Sequence, residues 1–231
     1  MASGEVTLSI QVDLAGHRML QSAGERIALV RVMAGEPGFV VVAAVFDPFG
    51  STTKVLFFPN WQVYVMQGTV QPMIRVNMQL TQDSTPGQLY TFNGSGFTYE
   101  GRAYDPSLFG LRNTAANVAL CAGLAQQMTV SNVQIFEAIH IAGSPLNTTG
   151  YFQPTDDVLV FLVKGVESGD VLPASILWRE NGMGGLRKMA GFPVLIGAYL
   201  RVKMTDHVTI HLDDLQNCFL PGPLPERPFN F

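Results

Sequence analysis

Residues 6–13 read Val-Thr-Leu-Ser-Ile-Gln-Val-Asp, and this stretch sets the pattern for the whole chain. Its apolar residues, at every second position from Val6 to Val12, alternate with polar ones, so an extended backbone places them on one face. Alternation of period two predicts a β-strand with one buried side and one solvent-facing side. Similar stretches recur along the chain between turns rich in Gly, Pro and Asn.

The same signals predict strands along the whole chain. The turn residues Ser131 and Asn132 suit the two-residue loop of a hairpin. Residues 114–122 favour a helix by their Ala and Leu content but adjoin a predicted strand, so helix and strand both stay open there. The predicted strands are Val6–Asp13, Arg26–Met33, Phe39–Phe46, Lys54–Phe58, Gln62–Met66, Met73–Leu80, Gln88–Phe92, Phe97–Glu100, Leu124–Val130, Val133–His140, Asp157–Lys164, Val171–Trp178, Pro193–Met204 and His207–Leu212.

The fold class follows from how these strands are connected. A parallel sheet needs crossover connections of a dozen or more residues, usually helices, and none alternates with the strands. The pattern predicts an all-β protein, a mostly antiparallel β-sandwich, and the jelly roll is one topology that it allows. Residues 1–220 form one predicted domain, with a subdivision near residue 150 as the alternative. Residues 221–231 are predicted to be an extended arm, because their prolines remove N–H donors and fix φ.

The composition predicts contact between copies of the chain. Charged residues make up 14% of the 231 residues, with only four lysines, whereas a typical soluble domain carries about 25% charged residues. A surface so poor in charge is either rich in Asn, Gln, Ser and Thr or partly buried against other copies of the chain, and both can hold at once; we predict a homo-oligomer. The arm, with Pro225, Phe229 and Phe231, is the segment predicted to dock on a neighbouring copy; a strap across its own sheet is the alternative.

The charge balance and the chain start narrow the classes of partner and location. A net charge of -4 argues against binding nucleic acid through a basic patch. No apolar run approaches the roughly 20 residues of a transmembrane helix. The start shows no basic segment followed by an apolar stretch, so no signal peptide is visible and an intracellular location is favoured. Cys121 and Cys218 are too few for a disulfide framework and are expected to be free thiols.

Candidate catalytic residues lie on one strand near the end of the chain. His207, His211 and Asp213 share a face of that strand, which suggests a metal or a general base with its orienting acid. Histidines four residues apart on a strand lie about 13 Å apart, too far to ligate one metal ion. His211 and Asp213 therefore remain the metal candidates, and a solvated polar face is the main interpretation. We expect no cofactor and no catalytic residue, and enzyme activity is left open.

A polar and aromatic loop region is the predicted ligand site. Asn93, Ser95, Tyr99, Tyr104 and Asp105 supply amide, hydroxyl, aromatic and carboxylate groups within a short stretch. Such a set is typical of sugar binding, with a ring stacked on an aromatic face and hydroxyls held by polar groups. The alternative is an ordinary turn with two core aromatics.

These observations together predict a non-catalytic, homo-oligomeric binding protein, of which a lectin-like carbohydrate binder is the commonest kind consistent with the composition. A self-assembling subunit of the jelly-roll capsid or shell type is the first alternative. A small enzyme that uses His207, His211 and Asp213 is the second.

Overall fold

A computed structural model of the chain describes residues 4–35, 38–116, 118–177, 186–189 and 191–226. Within these residues the protein consists mostly of strands, so the all-β prediction is confirmed. The strands are β1 (Val6–Gln11), β2 (Arg26–Met33), β3 (Phe39–Val41), β4 (Ala44–Phe46), β5 (Thr52–Gln67), β6 (Leu80–Ser84), β7 (Gln88–Phe92), β8 (Phe97–Arg102), β9 (Phe109–Asn113), β10 (Leu120–Val130), β11 (Val133–Gly143), β12 (Thr149–Phe152), β13 (Pro154–Lys164), β14 (Val171–Pro173), β15 (Arg187–Lys188), β16 (Leu195–Ile196), β17 (Leu200–Lys203), β18 (His207–Asp213) and β19 (Cys218–Pro221). The helices are α1 (Leu14–Ala23) and a 3-10 turn at Ala174–Ile176.

The strands form three larger sheets and one small ribbon. A seven-stranded sheet has the order β11-β10-β5-β1-β18-β19, with β6 also paired to β5. A six-stranded sheet has the order β15-β16-β13-β2-β4, with β17 also on β13, and a four-stranded sheet has the order β12-β9-β7-β8. The ribbon pairs β14 with β3. Most pairs are antiparallel, as predicted, while β1 pairs with β18 and β7 with β9 in parallel.

The main hydrophobic core draws on all three larger sheets. Leu8 of β1, Leu29 of β2 and Phe109 of β9 belong to one buried cluster. Alternate residues of β2 and β13, such as Val30 and Phe161, enter a second cluster, so these two strands are buried on both faces. Their near-continuous apolar sequences are the expected consequence.

Helix α1 was not predicted. Asp13, the last residue of the alternating stretch, caps its N-terminus by accepting a hydrogen bond of 2.8 Å from the backbone N–H of Gly16. Gly24 ends the helix in the left-handed region at φ 65°. The helix packs Leu20 into the main core, and Gly16 lies against the side chain of Leu212.

Several predicted strand boundaries are wrong. Lys54–Phe58 and Gln62–Met66 are one continuous strand, β5, because the chain bulges at Pro59 instead of ending. Met73–Leu80 lies outside strands except for a bridge from Arg75 to Asp170 and for Leu80, where β6 begins.

Three further segments differ from their predictions. Phe39–Phe46 divides into β3 and β4, which belong to different sheets, and Pro193–Met204 divides into β16 and β17. Strand β14 stops at Pro173, well before the predicted end at Trp178, which lies outside the described residues.

The open segment 114–122 contains no helix among its described residues, and strand β10 begins within it at Leu120. The hairpin at Ser131-Asn132 is confirmed: both residues have positive φ (49° and 70°), as a type I′ turn requires.

Candidate functional site

The five residues predicted to bind a ligand fall into separate places on the β7–β8 hairpin. Asn93 and Ser95 lie in its tight turn, beyond the pair Phe92–Phe97. Tyr104 and Asp105 follow the other end, beyond the pair Gln88–Arg102. Four residue steps along a strand are about 13 Å, so the two groups are not one constellation.

The turn at Asn93 is closed by its own side chain. The Oδ1 atom of Asn93 accepts hydrogen bonds from the N–H of Ser95 (3.0 Å), the hydroxyl of Ser95 (2.9 Å) and the N–H of Gly96 (3.1 Å). This Asx-type arrangement holds Gly94 at φ 101°. Both side chains therefore have a structural task in the turn.

Tyr99 lies at the edge of the four-stranded sheet. Its ring meets that of Tyr90 edge to face, with centroids 5.7 Å apart, and about half of its surface is exposed. It lines a shallow cleft together with Gln88, Arg102 and Pro106. Tyr90 points into the core, so Tyr99 borders the inner side of the sheet.

Tyr104 lies on the outer face of the same sheet, where it contacts Tyr151 of β12. Their ring centroids are 4.7 Å apart at an interplanar angle of 79°, and Tyr104 is 78% exposed. Tyr151 faces outward because its neighbour Phe152 is buried in the core, and side chains alternate along a strand. An open aromatic pair on a rigid sheet is a surface on which a flat apolar ring can rest.

A glycine makes room for that pair. Gly110 of β9 lies opposite Tyr151 in the ladder, and a Cβ atom there would come within 3.2 Å of the Tyr151 ring and 2.7 Å of the Leu89 side chain. The missing side chain lets Tyr151 lie close to the sheet, with its ring against the backbone.

Polar groups lie beside the aromatic pair. Asp105 follows Tyr104 directly, and its Oδ1 accepts hydrogen bonds from the hydroxyl (2.7 Å) and the N–H (2.8 Å) of Ser107. These bonds lower the pKa of Asp105, so the carboxylate stays charged. Farther along the outer face, Arg112 forms an ion pair of 3.0 Å with Glu100.

On β18, the strand of the candidate histidines, His211 and Asp213 each have their own hydrogen-bond partners. The Nδ1 atom of His211 donates to the backbone carbonyl of Gly222 at 3.0 Å, and Asp213 accepts from the N–H groups of Leu215 (3.0 Å) and Gln216 (3.1 Å). His207 is exposed at the start of β18. No group of three or more His, Cys, Asp or Glu suited to a metal ion occurs among the described residues.

The described beginning of the C-terminal arm lies on its own chain. Gly222 donates to the backbone carbonyl of Thr209 (2.9 Å), and Leu224 donates to the side-chain oxygen of Gln11 (2.7 Å). Pro225, the next residue of the arm, is exposed, whereas Phe229 and Phe231 lie outside the described residues.

Sequence reasoning missed Tyr151 and Gly110. Tyr151 follows the Asn147-Thr-Thr-Gly150 stretch, which gives no strand signal, and it meets Tyr104 only because β12 pairs with β9. The sequence signal that could have found Tyr151 is its place next to Phe152. Side chains alternate along a strand, so one of these two aromatic residues must face outward.

Comparison of the chain with protein-family models, curated proteins and solved structures gave no match. Over the described part of the chain, no helix has the length and apolar character needed to cross a membrane.

Proposed function

We propose that the protein is a non-catalytic binding protein, lectin-like, that holds a carbohydrate ring on the outer surface formed by Tyr104 and Tyr151. The observation that carries the proposal is the exposed tyrosine pair, packed on the sheet beside a charged carboxylate. The flat faces of sugar rings present C–H groups, and aromatic rings make many favourable dispersion contacts with them. The carboxylate of Asp105, next in sequence to Tyr104, is the acceptor that this proposal assigns to the hydroxyls at the sugar's rim.

The test is a glycan array with three variants. We expect the wild-type protein to bind a defined set of glycans and Tyr104→Ala and Tyr151→Ala to lose most of that signal. Tyr99→Ala is the matched control, because it removes an exposed tyrosine of the same sheet from its inner border, and it should keep the signal. An array without hits for the wild type, or equal binding by all variants, would contradict the proposal.

The β-sandwich scaffold and the homo-oligomer belong to the same proposal. The shared core cluster supports two sheets packed face to face, because Leu8 and Leu29 come from different sheets.

Exposed apolar residues at one end support self-association: Leu14, Phe49 and Leu215 are each at least 65% exposed. The segments of Leu14 and Phe49 adjoin, since His17 of α1 hydrogen-bonds the carbonyl of Gly50 at 2.7 Å. Leu215 follows the end of β18, where Leu212 lies against Gly16 of α1.

The mass in solution tests the homo-oligomer. We expect light scattering to give a small multiple of the 25.1 kDa chain and the double variant Phe49→Ser/Leu215→Ser to reduce it. Deleting residues 221–231 tests the arm in the same way, and an unchanged mass would assign the contact to the apolar end alone. A single-chain mass would contradict the homo-oligomer, and particles of many copies would favour the shell subunit.

A further inference from the structure

A cavity of about 240 Å³ lies between the seven-stranded and the six-stranded sheet. Residues of both sheets form its walls, so it opens where the apolar interior between them meets solvent. Most of its lining is apolar and much of it aromatic: Val6, Phe57, Phe58, Pro59, Trp61, Pro86 and Met204. The remaining lining is Gly4, Arg31, Gln126 and Asp156.

The bulge in β5 shapes one wall of this cavity. Gln126 of β10 pairs with Trp61, while Met128 pairs with Phe57, so β5 has extra residues around Pro59. The bulge releases the backbone carbonyl of Phe58 from the ladder, and this oxygen accepts a hydrogen bond of 3.0 Å from the side-chain amide of Gln126. The apolar side chains of the bulge thereby line the cavity.

A buried guanidinium forms another part of the lining. Arg31 is only 7% exposed, and its guanidinium lies 5.8 Å from the centre of the Phe57 ring. Its Nε atom has no hydrogen-bond partner, and none of the ion pairs within 4.0 Å in the described part of the chain involves Arg31. Buried charges are ordinarily paired, because removing a charge from water without a partner is costly.

An unsatisfied acceptor lies in the same lining. Gln126 is 3% exposed, and its amide oxygen has no hydrogen-bond partner although its nitrogen has one. A cavity with aromatic walls, a buried cation and an amide resembles a ligand pocket in its chemistry: an apolar container with a few polar groups that fix orientation.

We propose that this cavity binds a small apolar monocarboxylate, an aromatic or short-chain acid, whose carboxylate pairs with Arg31 and whose apolar body lies against Trp61 and Phe57. The planar fork of arginine matches a carboxylate with two parallel hydrogen bonds. This site is separate from the tyrosine surface, and the two proposals stand or fall independently.

Charge and size select the class of ligand. Asp156 lines the cavity and Asp157 follows it, and their charges already attract the guanidinium without a direct ion pair. An incoming anion is repelled by them, and a carboxylate of single charge is repelled less than a phosphate with two. The volume suits an acid with a single aromatic ring or a short chain. Burial lowers the pKa of Arg31 to about 10, so the guanidinium remains charged at neutral pH, and binding should weaken when acid protonates the ligand and again as the pH rises towards 10.

Calorimetric titration with phenylacetate tests the proposal, with phenylacetamide as its uncharged match. We expect saturable binding of one phenylacetate per chain and binding of phenylacetamide that is about ten-fold weaker or undetectable. Arg31→Met should fold, because an apolar side chain in place of a buried charge without a direct ion pair is often neutral or stabilising, and should lose phenylacetate binding. Arg112→Met is the matched control on the distant four-stranded sheet and should bind as the wild type does.

Other results of the same experiment would overturn the proposal. Absence of saturable binding at millimolar phenylacetate, benzoate and hexanoate would overturn the proposal, and so would unchanged binding by Arg31→Met. If Arg31→Met does not fold, Arg31→Lys provides the same comparison, since it keeps the charge but loses the planar fork and should bind more weakly. Equal binding of phenylacetate and phenylacetamide would show that the cavity does not select a charged carboxylate, and it would also overturn the proposal.

Discussion

The hydroxyl of Tyr64 donates a hydrogen bond of 2.7 Å to the backbone carbonyl of His140, and it crosses an intervening strand to do so. Tyr64 is in β5 and His140 in β11, with β10 between them. The crossing passes over Gly123, which pairs with Tyr64 on one side and Ile141 on the other. A register shift after Leu124 places the His140 carbonyl where the tyrosine can reach it.

Replacing Gly123 with alanine should be strongly destabilising. A Cβ atom there would lie 2.0 Å from the His140 carbonyl oxygen and 2.5 Å from the Tyr64 hydroxyl, so a strand and a buried ring would both have to move. We expect a loss of about 3 kcal/mol or more in the free energy of unfolding, measured with urea. Gly143→Ala in β11 is the control, because nothing lies within 4 Å of its Cβ position. Similar losses for the two variants would contradict this account.

Removing only the Tyr64 hydroxyl isolates the hydrogen bond from the packing. Tyr64→Phe keeps the buried ring but leaves the His140 carbonyl without this donor, which costs about 1–3 kcal/mol. Burial raises the pKa of Tyr64 well above its usual value, so the hydroxyl remains a donor through neutral and mildly alkaline pH. The loss should therefore be equal at pH 6 and pH 9 in chemical unfolding. A loss near zero would show that water replaces the hydroxyl.

The sequence allowed prediction of those strands whose pattern is decided locally. The strands β1 and β18 and the Ser131-Asn132 turn each depend on neighbouring residues, and they were predicted correctly. The predicted solvent-facing sides of the two strands were wrong at Ser9 and His211, which are buried. Bulges are different, because Pro59 breaks the local pattern while the partner strands on both sides keep β5 continuous. Tertiary pairing thus overrode a local signal for strand termination.

Contacts between distant residues explain what could not be predicted of the candidate sites. The approach of Tyr104 to Tyr151 and the burial of Arg31 beside Phe57 both depend on which strands pair. Arg31 interrupts the apolar stretch of β2, and a charged residue in such a strand was the one available signal for the cavity. In the hairpin, the residue types of Asn93 and Ser95 favour a turn as strongly as they favour ligand binding, so the sequence could not decide between the two roles.

The cap of α1 should account for a measurable part of the stability. Asp13→Ala removes the carboxylate that accepts the Gly16 N–H, and we expect a loss of about 1 kcal/mol in thermal or urea unfolding. Asp13→Asn keeps an acceptor oxygen at the same position and should lose much less. If alanine and asparagine are equally destabilising, the cap bond has no net value and the charge of Asp13 matters instead.

Acid should destabilise the protein through His140. Its ring packs against Phe152 with centroids 5.1 Å apart, its Nδ1 atom is buried without a hydrogen-bond partner, and burial lowers its pKa to about 4 from an ordinary value near 6.5. Between these two values the unfolded chain binds a proton that the folded chain does not. The associated stability is therefore complete above pH 6.5 and is lost as the pH falls towards 4, by about 3 kcal/mol in total.

The variant His140→Leu separates this effect from the titration of other groups. It cannot take up the proton, so the difference in unfolding free energy between wild type and variant should shift by about 3 kcal/mol in favour of the variant from pH 7 to pH 4. From pH 7 to pH 8 the difference should stay constant, because both states of the wild type then hold a neutral imidazole. A difference that is independent of pH from 7 to 4 would mean that the ring takes up a proton in place, as it could only if the neighbouring strands opened to water at that point.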